Sequence, residues 1–263
     1  MGAVKKYFKK QFQSSMFKLE YRTASDFYGS CFQSNDSYLP LLVIRGILFF
    51  GSMAIVISSI VLTARGGEGG YWPIFLTHWG IAANMICTGI GFAVSLHAYI
   101  KQPFGDDFEL PWLVKVYWIS SNIAIPLSFF ITIFYWTLLS GFVSEDGGEL
   151  EFAINKVLDI FIHAINSVVM FLLLVTARQP VYLLHFYHVV IFALIYLFFS
   201  VIYYAAGGTD MFGNPFVYPM LDWSNPGIAV LTGVFSAVLI IILHFLVSFI
   251  VVGRDALSRW ILN

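Results

Sequence analysis

Six long runs of apolar residues, parted by short stretches rich in charge, glycine and proline, set the pattern of this chain. They lie near Leu41–Ala64, Ile74–Ile100, Trp112–Leu139, Phe152–Ala177, His185–Ala206 and Ile228–Val252. Each reaches the ~20 residues that a helix needs to cross a hydrocarbon layer. The pattern predicts an all-α membrane protein, a six-transmembrane-helix bundle over residues 39–253. Pro126 interrupts the third run and marks a kink point. Ahead of the bundle, Lys5, Lys6, Lys9, Lys10, Lys18 and Arg22 are interleaved with Phe8, Phe12, Met16 and Leu19 at helical spacing. This is the signature of an N-terminal basic amphipathic helix lying on an anionic leaflet. Within residues 1–38, the turn-rich stretch 23–38 reads as a linker. Residues 254–263 read as a short tail.

Composition sharpens the class. Of 263 residues, 59% are hydrophobic and only 11% charged, against about 25% charged in soluble domains. A net charge of −1 gives nucleic acid nothing to bind, so membrane lipids are the partners to expect. The first forty residues lack the apolar core of a signal peptide, so none is expected, and Lys6 stands where a myristoylation motif needs Ser or Thr. All the lysines and arginines except Arg65 and Lys156 fall on one side of the six-helix topology. The positive-inside rule therefore puts both termini in the cytoplasm. The sequon Asn35-Asp36-Ser37 falls on that inner side, and the acidic 142–151 loop on the outer. Cys31 and Cys87 lie at different levels, so no disulfide is expected, and Cys31 is a weak palmitoylation candidate. Arg45, one turn inside the first helix, reads as snorkelling to the inner headgroups.

The candidate chemistry sits in the fourth run. Asp159 and His163 are four apart and Asn166 follows three later, so a regular helix puts all three on one face. His163 would lie about 16 Å below the outer surface, near mid-bilayer. Intramembrane ionisable groups point to a functional cavity, or to polar contacts that glue helices together. Thr77 and His78 open the second run at a similar level. Thr77 as nucleophile, His163 as base and Asp159 as orienter would form a hydrolytic set. The alternative is a threonine bonded back to its own helix. In the loop 207–226, glycine, asparagine and proline supply turns, and Tyr218 and Trp223 supply apolar anchors. It reads as an ordered outer cap carrying Asp210, Asn214 and Asp222, and as a docking surface for a protein partner. Two carboxylates make a weak cation site, so neither metal nor cofactor is expected. A haem alternative rests on His97, His185, His188 and His244 near the inner helix ends.

Three elements carry a family resemblance. Trp72-Pro-Ile-Phe-Leu-Thr77, Ile125-Pro126 and Phe216-Val-Tyr218-Pro219 resemble motifs of the androgen-induced, FAR-17a-type membrane superfamily. That resemblance implies a six-helix threonine hydrolase of fatty-acid esters of hydroxy fatty acids, with Thr77 as nucleophile. Its base belongs at the second histidine of an H-x-x-H-T element, which here reads His163-Ala-Ile-Asn166-Ser167. An asparagine amide takes no proton at neutral pH, so the implied mechanism does not carry over intact. A closer similarity, to the Rolling stone family, runs through Asn122-Ile-Ala-Ile-Pro126, His163-Ala-Ile-Asn166-Ser167 and Ala206-Gly-Gly-Thr-Asp210. It continues through Asn214-Pro215 and Tyr218-Pro219-Met-Leu-Asp222-Trp223. It implies a plasma-membrane protein of myoblast fusion, in which Asn122, His78, Asn166 and Ser167 line a structural or lipid-binding pocket.

Overall fold

A computed structural model describes residues 3–35, 37–101, 110–139 and 156–262. Its described part is helical, with six helices long and apolar enough to span a membrane. A short α1 (Ala3–Gln11) precedes them. The spans are α2 (Leu39–Arg65), α3 (Leu76–Lys101), α4 (Trp112–Leu139), α5 (Lys156–Thr176), α6 (Leu183–Ala205) and α7 (Pro226–Leu262). The expected boundaries hold within a few residues, except at the C-terminus. There α7 runs on to Leu262, so the expected tail is helical. At 1.5 Å per residue its 37 residues reach about 55 Å, well past a hydrocarbon core of about 30 Å. The acidic 142–151 loop and the start of the fourth run lie outside the described residues.

Large exposed apolar residues such as Ile47, Ile202 and Leu231 are lipid-facing in such a bundle, because acyl chains solvate them as well as a core would. Helix association then depends on close packing and internal polar bonds. Both are visible at Gly91, where an added Cβ would stand 2.7 Å from the Tyr117 ring. The missing side chain lets α3 and α4 close around Arg45 of α2.

Arg45 does not snorkel. It is fully buried, and its fork is filled by neutral acceptors. Nη1 donates to the Phe27 carbonyl (2.9 Å), the Gly91 carbonyl (3.2 Å) and Ser95 Oγ (2.8 Å). Nη2 donates to the Tyr117 hydroxyl (3.0 Å) and Gln179 Oε1 (3.5 Å). The guanidinium also lies 4.5 Å from the Tyr117 ring centroid, a cation–π contact. Snorkelling fails because residues 11–33 cover the way out.

That segment is therefore packed and not a free linker. Arg178 Nε donates to the Ser30 carbonyl (2.7 Å) and Nη2 to the Gln33 carbonyl (2.8 Å). Cys31 N–H donates to the Thr176 carbonyl (3.1 Å), and Gln11 Oε1 accepts from the Leu183 N–H (3.1 Å). Phe27 and Tyr21 pack edge-on against the buried Trp118. Both cysteines are free, and Cys31 is buried with its Sγ on the Val175 carbonyl at 3.0 Å. A thiol so placed does not fit the lipidation reading. The basic end of the bundle is thus plugged by its own N-terminal segment.

Replacing Arg45 with methionine strands several buried acceptors, at about 1–3 kcal/mol each. A lower melting temperature in detergent is expected, with faster tryptic cleavage at Lys18 and Arg22. Cleavage there at the wild-type rate would mean that Arg45 does not hold the plug.

Candidate functional site

The opposite end, where the 207–226 loop folds back, is not filled. Two cavities open beneath that cap, of about 150 Å³ and about 90 Å³. Thr77, Tyr135, Leu139 and Tyr218 line both of them. The smaller cavity is otherwise almost wholly apolar, walled by α4, α6 and α7. The larger brings together Thr77, His78, Asp159 and His163 with Asp210 and Asn214 of the cap.

Two π-helical turns build the polar wall. One ends α4 (Tyr135–Leu139) and the other interrupts α5 (Phe161–Ile165). Such turns insert one residue into a helix and re-aim the side chains beyond it, and they recur at functional sites. Here they meet. The His163 and Tyr135 rings stack with centroids 3.5 Å apart and planes 8° from parallel. His163 Nδ1 lies 2.8 Å from Asp159 Oδ1, and the Tyr135 hydroxyl donates to both Asp159 oxygens at 2.9 and 2.8 Å. With Nδ1 turned to the carboxylate, Nε2 stands on the opposite edge of the ring. Nε2 has no protein partner among the described residues.

The same π turn breaks the expected single polar face. One inserted residue rotates everything beyond it by about 100°. Asn166 is carried away from the cap cavity, to accept from Thr132 Oγ1 at 3.2 Å. It faces instead a void of about 10 Å³ shared with Asn84 and Ser52. Three amide atoms there, both of Asn84 and Nδ2 of Asn166, have no partner. Ser167 bonds back to the Ala164 carbonyl, and neither it nor Asn122 reaches the cap cavities. Asn122 lies toward the basic end, 3.1 Å from His185 Nδ1.

Thr77 shares the cavity with His163, yet no hydrogen bond joins them among the described residues. Tyr218 of the cap lines both cavities beside it, and burial pushes the Tyr218 pKa up. His78 stacks on Trp72 with Nδ1 2.6 Å from the Trp72 carbonyl.

The cap is ordered by its own turns. Asp210 Oδ1 accepts from the Phe212 and Asn214 N–H groups (2.9 and 2.7 Å), and Oδ2 from Asn214 Nδ2 (2.8 Å). Gly213 supplies the left-handed backbone (φ 84°) that closes this turn. Asp222 accepts from the Ser224 N–H, and Trp223 donates to Ser200 Oγ at 3.1 Å. These carboxylates are taken up by backbone, and no metal-holding group of His, Cys, Asp and Glu occurs among the described residues. The basic-end histidines are likewise engaged. His185 has both ring nitrogens in contacts, with Asn122 and with the Lys18 carbonyl at 3.3 Å, while His188 Nδ1 lies 3.0 Å from the His185 carbonyl and His244 Nε2 2.9 Å from that of Tyr182. His97 is exposed on α3.

Tyr135, Glu68 and Phe75 complete the larger cavity and were not legible as site residues. Tyr135 reads in sequence as one more aromatic near a helix end. Its partner lies 24 positions away across the acidic loop.

The family model for "Protein rolling stone" matches residues 2–260. The chain belongs to the rolling stone family. It is 28% identical to Protein rolling stone of Drosophila melanogaster over 244 residues, 89% of this chain and 86% of that protein. No solved structure matches it. For this rolling stone family chain the two polar regions of α5 are expected to respond differently to substitution. Asp159→Ala strands the Tyr135 hydroxyl and His163 Nδ1 inside the bundle, each at about 1–3 kcal/mol. Asn166→Leu removes an amide already half unpartnered, and Thr132 keeps its bond to the Ser128 carbonyl (3.1 Å). Thermal melts should show a large drop for the first and little change for the second. Equal drops would show that Asn166 is as essential to the bundle as the Asp159 cluster.

Proposed function

We propose that this chain is a plasma-membrane protein that holds one amphiphile beneath its outer cap, and that it acts in cell–cell fusion in that capacity. The fusion role rests on the family resemblance alone. The observation that carries the pocket is the junction of the two cavities at Thr77, Tyr135, Leu139 and Tyr218. A chamber that carries the titratable groups of this end adjoins an apolar one there, the arrangement that a headgroup with one acyl chain requires. The basic, plugged end is cytoplasmic in this reading and the cap faces outward, because the cations gather at the plug. The cap surface is also where a protein partner would dock.

A second reading keeps the same pocket but adds turnover. It is favoured by the Asp159–His163 pair, which has the orienter–base geometry of a hydrolase. It is opposed by Thr77, whose hydroxyl makes no hydrogen bond to the imidazole among the described residues. The binding reading is therefore preferred.

Native mass spectrometry of protein in mild detergent should reveal a bound lipid. Ala193→Phe, which fills the apolar chamber, should displace it while leaving the melting temperature close to wild type. Purified protein without lipid would end the pocket reading. In parallel, a fluorophosphonate ester probe should leave the protein unlabelled. Labelling that disappears in both Thr77→Ala and His163→Ala would establish the hydrolase instead.

Orientation has its own test. The native sequon at Asn35 should stay unglycosylated, whereas one introduced into the 142–151 loop should be modified. The reverse pattern would invert the protein.

A further inference from the structure

The charge and aromatic character of the larger cavity go further than its size, and they concern which headgroup it takes. This step rests on the lipid-pocket reading above. Three carboxylates line the chamber: Glu68 at the end of α2, Asp159 on α5 and Asp210 in the cap. No lysine or arginine lines either cavity among the described residues. The cations of this end, Arg65 and Lys156, are both exposed. Neither Glu68 nor Asp210 is in an ion pair among the described residues, and Asp159 has only His163. The connecting segment 140–155 contains acidic residues and no lysine or arginine in its sequence.

Between these carboxylates stand aromatic rings. Phe75, Tyr135, Phe212, Phe216 and Tyr218 all face the chamber, and Phe75 meets Tyr218 nearly edge to face at 6.0 Å. Ring faces attract cations, most strongly where water is excluded, and quaternary ammonium groups are commonly held in such cages. An anionic head would meet three carboxylates in a low-dielectric chamber with no lysine or arginine in its described lining, which is costly. The buried His163 adds a separate pointer to a ligand. Its Nδ1 is committed to Asp159, while its Nε2, on the opposite edge of the ring, has no protein partner among the described residues.

We infer that the chamber selects an amphiphile with a positively charged ammonium head, its single chain running past Thr77 into the apolar cavity. The carboxylates supply long-range attraction and the rings supply contact. Nε2 of His163 accepts a hydrogen bond from a hydroxyl or ammonium proton on the head.

The test uses the full chain in nanodiscs of neutral phospholipid, crosslinked by a long-chain alcohol bearing a diazirine. Three competitors of equal chain length differ only in the head: trimethylammonium, hydroxyl and carboxylate. The trimethylammonium compound is expected to suppress crosslinking at a roughly tenfold lower concentration than the carboxylate. Glu68→Lys lies at the half-buried chamber rim, so the fold should tolerate it. It should abolish that preference and leave competition by the alcohol unchanged. A carboxylate that competes as well as or better than the ammonium compound overturns the headgroup assignment and leaves the lipid pocket standing. Failure of all three competitors, or of the alcohol to crosslink, overturns both. A preference that survives Glu68→Lys and also survives Phe216→Ala shows that the chamber does not set it, and the assignment falls.

Discussion

A guanidinium buried inside a membrane bundle imposes one condition on everything around it: its donors must be met without water. Arg45 meets it at both Nη atoms with carbonyls, hydroxyls and an amide, with no carboxylate among the described residues, and only Nε is left without a described partner. Those acceptors come from the N-terminal segment, α3, α4 and the turn after α5. One side chain on α2 therefore fixes four otherwise separate parts of the chain. Neutral acceptors spread the charge over several dipoles, and they avoid desolvating a second ion. The geometry is demanding in return, which is why Gly91 has to be bare beside Tyr117.

Arg178 extends the same device through Ser30 and Gln33, and Arg254 adds a carboxylate to it. Arg254 donates to the Leu174, Arg178 and Gln179 carbonyls at 3.0 to 3.3 Å and to Asp255 Oδ1 at 2.7 Å. The carbonyls at the end of α5, left open as at any helix C-terminus, are thereby closed by cations from elsewhere. With the basic end stapled in this way, the loop, plug and helix ends there leave little room for a ligand. The opposite end has no arginine of this kind among the described residues. Its polar groups are arranged around empty space, and that asymmetry is the structural case for putting function beneath the cap.

How far the sequence reveals this depends on the range of each interaction. Helix existence follows from apolar run length, a local property, so all six spans are legible, though not the ten residues by which α7 continues past Val252. The Asp159–His163 pair is legible for the same reason, being four residues apart. Asn166 is not, because the phase of a helix is readable only while its period is constant. Nothing in Phe161-Ile-His163-Ala-Ile165 announces a π turn. The side chain that explains it, Tyr135, comes from another helix. Arg45 fails for the converse reason. A lone cation one turn inside a membrane helix has a sound local outcome in snorkelling, and only the packed segment 11–33, distant in sequence, removes it.

The paired π turns link these observations to chemistry. A regular α4 and α5 would present their side chains in evenly spaced ridges suited to close packing, as they do lower down around Met170 and Leu173, both fully buried. Inserting a residue in each helix at one level spoils that match and lets an imidazole stack flat on a phenol. The carboxylate is then held by both. Such an arrangement gives up hydrogen-bond regularity in two helices at once, a local cost with no evident return in packing, since a cavity of about 150 Å³ lies beside it. That cost makes sense if the oriented Nε2 and the space before it are what the fold preserves. On that argument the cap, the aromatic walls and the carboxylates between them belong to one site, and Asn166, one rotated turn below, belongs to the bundle that supports it.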